Sequence, residues 1–306
     1  MLNLNYNINK AIGGGGCIGV MKYNYSASIL LAGGGAGIPA LTASQARGGG
    51  GAGFVWTGSL SVIPNTTYQI YVAQTSSFGG DGNQSRFVGF DDNDTIPFDL
   101  IAYGGKIQTP GNFGLYNGGA GGSGSLSREG IVTNYAGFVG GTTDAGSRGG
   151  TSQYAGGGGA GVRGNGGNGN INFPEGARGG AGGPGFDASD FGVGGGPVTG
   201  IIGVGGAGES IGSFGGQTLI SPSAFSQGAS IIYNDSAART GSFGGCVIKY
   251  AGKPKAEITN GTTTYSNGFT YHTFNIGTGS FRYTVPYPYE EPVSPYQVVL
   301  CPPTYQ

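Results

Sequence analysis

The chain has 306 residues, 71 of them glycine, and its 14 basic and 15 acidic residues leave a net charge of −1. So weak a field gathers no phosphates, which excludes an electrostatic nucleic-acid binder, and no RNP1-like aromatic–basic stretch is present. Disordered chains lose aromatics and gain charge; with 18 tyrosines, 16 phenylalanines and only 9% charged residues, this chain is expected to fold.

The first 10 residues, MLNLNYNINK, carry no charged region followed by an apolar core, so no secretory leader is expected. Residues 1–103 read as β-strands broken by glycine. Residues 23–32 begin in alternation and end in an apolar run, and residues 54–62 and 67–73 read as strand, turn, strand. Residues 86–90 and 98–103 are weaker strands. Asp91, Asp92 and Asp94 form the one acidic cluster. Their oxygens suit calcium, but they do not fit the EF-hand loop, and a polar turn is the preferred reading.

Residues 104–240 change character. Residues 104–216 alone hold 43 of the 71 glycines. Glycine recurs there at every third position, as in Gly158, Gly161, Gly164 and Gly167, or Gly176, Gly179, Gly182 and Gly185. Proline is too scarce and the register too broken for collagen. A three-residue period fits left-handed extended helices of the polyglycine-II type, whose bare faces let backbones approach and bond to each other. A flexible linker is the alternative, but linkers rarely carry aromatics. Phe113, Tyr116, Tyr135, Phe138, Tyr154, Phe173, Phe186, Phe191 and Phe214 punctuate the segment and are read as loop residues that make contact with a ligand.

Residues 241–285 return to strands at 246–250, 271–276 and 281–285, with Asn267-Gly268 as a hairpin signal. Residues 286–306 hold six prolines and four tyrosines, and read as an extended arm in which Tyr287, Tyr289, Tyr296 and Tyr305 dock a partner. The fold expected is therefore all-β, with β-sandwich-like strands flanking a glycine-rich core and little or no α-helix. No segment approaches the ~18 apolar residues of a membrane-spanning helix.

Catalytic motifs fail one by one. Gly208-Glu209-Ser210-Ile211-Gly212 spells G-x-S-x-G, but no helix-forming stretch follows, and His272 is the single histidine. The matches to G-x-G-x-x-G lack a βαβ setting, and no P-loop lysine is present. Cys17, Cys246 and Cys301 lie too far apart for a zinc site or a disulfide framework. No cofactor and no enzymatic activity are expected.

Ser28-Ile29-Leu30-Leu31-Ala32-Gly33-Gly34-Gly35-Ala36-Gly37, the paired strands after residues 48–53, the long glycine tract, and Gly244-Gly245-Cys246-Val247-Ile248-Lys249-Tyr250 occur in that order. This order resembles the glycine-rich domain of bacteriophage tail fibres and related virion proteins over residues 25–285. The resemblance implies a virion structural protein of a tail fibre or tail tip, made in the host cytoplasm. It further implies a homo-oligomer, by default a homotrimer, that contacts other virion proteins and attaches to a host surface glycan or outer-membrane protein. The opening strand here is Ser/Ala/Leu where the family's is charged and valine-rich, and the Pro/Tyr arm is not part of the family pattern. A capsid spike, decoration or connector that binds only virion proteins is the alternative. An ice-binding polyglycine-II protein is a further one, against which the bulky aromatics argue.

Overall fold

The computed structural model describes residues 25–40, 47–90, 97–110, 115–128, 131–140, 142, 144–148, 151–172, 176–178, 180–193, 201–206, 210–211, 225–230, 237–275 and 277–284. Its strands are, in chain order, β1 (Tyr25–Ala32), β2 (Val55–Val62), β3 (Thr67–Tyr71), β4 (Ser85–Phe90), β5 (Pro97–Ala102), β6 (Thr109–Pro110) and β7 (Tyr116–Asn117). Then come β8 (Gly124–Arg128), β9 (Ile131–Tyr135), β10 (Asp144–Arg148), β11 (Thr151–Ala155), β12 (Asn170–Asn172), β13 (Gly176–Arg178) and β14 (Phe186–Asp187). The rest are β15 (Ile201–Ile202), β16 (Ser210–Ile211), β17 (Gly245–Ala251), β18 (Ala256–Thr259), β19 (Thr262–Ser266), β20 (Phe269–Phe274) and β21 (Thr278–Tyr283). Among the described residues the helical content is one 3-10 turn at Ser189–Phe191. The all-β expectation holds.

Two antiparallel sheets make a sandwich. One runs β19-β20-β17-β1-β2 and the other β18-β21-β3-β4-β5-β8-β9. Strands from before and after the glycine tract are therefore neighbours: β1 pairs with β17, and β3 with β21. The tract itself supplies β8 and β9, two strands that its composition does not announce.

Alternation builds the core. Along β3, Tyr68 and Ile70 are buried between exposed Thr67, Gln69 and Tyr71. They meet Phe87, Phe98, Leu100 and Phe281 from their own sheet and Ile29, Leu31, Cys246 and Ile248 from the other. Tyr68 stacks on Phe87 at 5.5 Å, and Phe98 meets Phe87 edge-on at 5.9 Å. The unbroken apolar run at the end of β1 has its own cause. Ile29 and Leu31 face the sandwich core, while Leu30 and Ala32 face outward under a second cluster of Ala188, Ile202, Phe225 and Val247. A strand covered on both faces has no polar side to show.

Hairpin chemistry is local. Asn267 and Gly268, between β19 and β20, have φ of 52° and 81°, the positive pair that a tight two-residue turn between twisted strands requires.

Beyond the sandwich ends, glycine segments continue the strands into a packed array. Residues 33–38 prolong β1 and hand successive N–H groups to three different neighbours in rotation. Gly33 and Ala36 donate to Phe54 and Gly51, Gly34 and Gly37 to Asn83 and Gly80, and Gly35 and Ile38 to Ser242 and Arg239. Residues 49–54 do the same: Gly49 and Ala52 reach Gly157 and Ala160, Gly50 and Gly53 reach Ala229 and Ser226, and Gly51 and Phe54 reach Lys106 and Tyr103. Their carbonyls accept from three further segments, through Gly119 and Gly122, Ala36 and Gly33, and Gly206. The 49–54 segment thus has six backbone neighbours and is buried throughout its glycines.

Candidate recognition surface

Chain direction decides what the array displays. Residues 33–38, 103–106 and 137–140 lead away from strands β1, β5 and β9, while 49–54, 80–83, 119–122 and 239–244 lead back into β2, β4, β8 and β17. Residues 156–160 run parallel to 49–54, since Gly49 and Ala52 bond Gly157 and Ala160 in order, so they too return toward the sandwich. Residues 164–167 are antiparallel to them, with Gly158 bonding Gly167 and Gly161 bonding Gly164. The turns between outgoing and returning segments therefore collect at the end far from the sandwich. That end carries the β6–β7 ladder, the β10–β11 hairpin with β16 beside it, and the β12–β13 ladder.

Close approach explains why these segments are glycine. A Cβ on Gly158 would run into the carbonyl of Ala181, and one on Gly206 into that of Ala229. The alanines admitted to the array, such as Ala36, Ala52 and Ala160, are fully buried. At the exposed flank, side chains replace a missing neighbour. Lys106 pairs with Asp81 at 2.9 Å, and the second Asp81 oxygen accepts the Ile107 N–H at 2.9 Å.

The nine aromatics read from sequence do not form one patch. Tyr116, half-buried on β7, and Tyr154, on β11, belong to the far end. Tyr135 and Phe138 are exposed where β9 passes into the array, and Tyr135 stacks on Phe54 at 5.8 Å. Phe186 and Phe191 instead pack against the outer cluster of the five-stranded sheet. Arg163 lies over the Phe186 ring at 4.7 Å, and Lys249 holds the carbonyl of Asp190 at 2.7 Å, pinning this flap. Phe113, Phe173 and Phe214 lie outside the described residues, as do Asp91, Asp92 and Asp94 and the arm residues Tyr287, Tyr289, Tyr296 and Tyr305.

Sequence reasoning passed over Phe78, exposed at 72% in the turn before residues 80–83, and the exposed Ile131, Val132 and Val139. Nothing in their spacing marked them: Phe78 stands alone in a turn, and the apolar residues of β9 do not alternate with polar ones.

His272 is fully buried inside the sandwich. Its Nε2 lies 2.9 Å from the Tyr250 hydroxyl and its Nδ1 2.8 Å from Thr263 Oγ1. Burial pulls its pKa down to about 4. Ser210, the centre of the G-x-S-x-G match, lies on β16 at the far end of the array. Among the described residues no group of three His, Cys, Asp or Glu gathers to hold a metal, and no helix is long and apolar enough to cross a membrane. No protein-family model matches the chain, and no curated protein matches it in sequence.

Proposed function

We propose that this chain is a structural protein of a bacteriophage virion, a tail-fibre or tail-tip component that binds a host surface and does no chemistry. One observation carries the reading: a glycine array, hydrogen-bonded in a three-residue rotation, projects hairpins from the end opposite a β-sandwich. We infer that the array segments are polyglycine-II-type helices, because a three-fold backbone with bare faces supplies six neighbours at equal standing. Such a lattice fixes loops by backbone bonds alone, so the loops are free to vary without repacking a side-chain core.

In this reading the sandwich and the Pro/Tyr arm at residues 286–306 face the virion, and the far-end hairpins face a host glycan or outer-membrane protein. Copies act together in a homo-oligomer, where repetition of weak sites raises avidity. The position of Tyr135 and Phe138, exposed at the junction and away from the far end, favours a second role: contact with another virion protein, as in a connector or capsid decoration.

Adsorption separates the two. The purified chain is expected to bind host cells and to compete with virions. A chain with the whole β10–β11 hairpin, residues 144–155, replaced by a short Gly-Ser linker is expected to lose that competition. Virions that lack the protein and still adsorb normally exclude the receptor role and leave the connector.

A further inference from the structure

Strand β9 closes the seven-stranded sheet, and among the described residues no strand pairs with its outer side. All five of its side chains are exposed, and none belongs to the sandwich core. The opposite sheet is two strands narrower, and Tyr135 stacks on Phe54 where β9 passes into the array. Edge strands that stay in water are blunted by lysine, proline or a bulge. Ile131-Val132-Thr133-Asn134-Tyr135 has no charge and no proline, and its register with β8 runs unbroken from Arg128↔Ile131 to Gly124↔Tyr135. The apolar strip continues past the strand: Ile131 is 69% exposed, Val132 57%, Phe138 41% and Val139 66%.

We propose that β9 is a self-association edge, on which a second copy of this chain lays its own β9 antiparallel to join two seven-stranded sheets into one. The strand is self-complementary about Thr133. Two-fold pairing sets Thr133 against the partner's Thr133, Ile131 against the partner's Tyr135, and Val132 against the partner's Asn134. Threonine pairs and aromatic–β-branched pairs are among the favourable cross-strand combinations. Charge does not oppose the pairing, because the chain's net charge is −1 and the edge itself is neutral. A charged partner would find no complement on this strip, whereas a second copy brings the same apolar side chains and the same unpaired backbone groups. At their exposures Ile131, Val132 and Tyr135, which this register sets against the partner strand, offer on the order of 300 Å² per copy, well short of the ~800 Å² of a standard interface, so the dimer is a weak one. The edge stands whether or not the chain belongs to a virion.

Sedimentation velocity of the full chain from about 1 to 200 µM tests it. The expected result is a concentration-dependent shift to twice the chain mass. Ile131→Lys and Val132→Lys, both on the strand, are each expected to weaken the dimer about tenfold or more, while near-UV circular dichroism stays unchanged. Tyr265→Lys on the exposed edge strand β19 is expected to leave it intact. A chain that stays monomeric throughout, an oligomer that neither β9 substitution weakens, or one that Tyr265→Lys weakens as much, overturns the proposal.

Discussion

Val139 gives its N–H to the side-chain oxygen of Asn165 at 3.0 Å and takes the N–H of Gly166 on its carbonyl at 3.0 Å. Three residues on, the pattern repeats: Thr142 donates to Asn168 Oδ1 at 2.9 Å and accepts from Gly169 at 2.8 Å. Each asparagine accepts through its side-chain oxygen in place of a backbone carbonyl, so the three-residue rotation continues at the flank of the array. Asn165→Ala and Asn168→Ala are each expected to cost about 0.5–1 kcal/mol, at the low end for a hydrogen bond because both side chains are exposed and water can substitute. Hydrogen exchange reads this locally. The Val139 and Thr142 amides should lose protection in the respective variants, while those of β3 and β17 keep theirs.

The array should tolerate no side chain at its close approaches. Gly158→Ala and Gly206→Ala place a Cβ against backbone, which cannot step aside. Each is expected to destabilise by about 3 kcal/mol, the upper range of overpacking. Gly164→Ala is the contrast. Its Cβ meets only the Pro184 ring, at 3.0 and 3.1 Å, and at the flank that ring can shift, so the cost should stay below about 1 kcal/mol. Chemical denaturation of the three variants decides it. Equal costs at all three positions would mean that close backbone packing does not set the requirement, since glycine's freedom in the unfolded state acts the other way and favours each alanine variant.

Cys246 should be inert. It sits fully buried between Ile29, Leu31 and Phe274 in the sandwich core, and burial pushes its thiol pKa well up. In a Cys17→Ser, Cys301→Ser background, the native protein is expected to consume almost no thiol reagent, and the denatured protein one equivalent. Rapid labelling of the native protein would mean that the two sheets separate readily.

The strands flanking the glycine tract were legible because each obeys one local rule. Tyr68 and Ile70 alternate with polar residues, and Asn267-Gly268 spells its turn. Strand β9 was not legible, since Ile131 to Tyr135 shows neither alternation nor a buried run and owes its place to backbone pairing with β8. The three-residue glycine period has the same repeat as the rotation of hydrogen bonds, and residues 33–38 and 49–54, ahead of residues 104–240, share that rotation. Phe186 and Phe191 had the sequence neighbourhood of loop aromatics, yet they cover the outer face of β1 and β17, a contact between positions far apart in the chain that no local pattern encodes.

Acid should weaken the sandwich through His272. Tyr250 Oη accepts the Lys255 N–H at 2.9 Å and lies 2.9 Å from His272 Nε2, while His272 Nδ1 lies 2.8 Å from Thr263 Oγ1. Each ring nitrogen of the neutral form thus has a hydroxyl partner, and a charged ring would sit buried with no carboxylate among these contacts. With a folded pKa near 4 against 6.5 for the free side chain, the unfolded chain binds the proton first. Stability from this group is therefore complete above pH 6.5 and lost as pH falls toward 4, by about 3 kcal/mol in all. His272→Gln, which keeps one acceptor and one donor but does not titrate, should flatten that part of the profile. Urea unfolding at pH 7 and pH 4.5 measures both proteins. If wild type and variant lose the same stability between those values, the acid sensitivity resides in the carboxylates and His272 has no part in it.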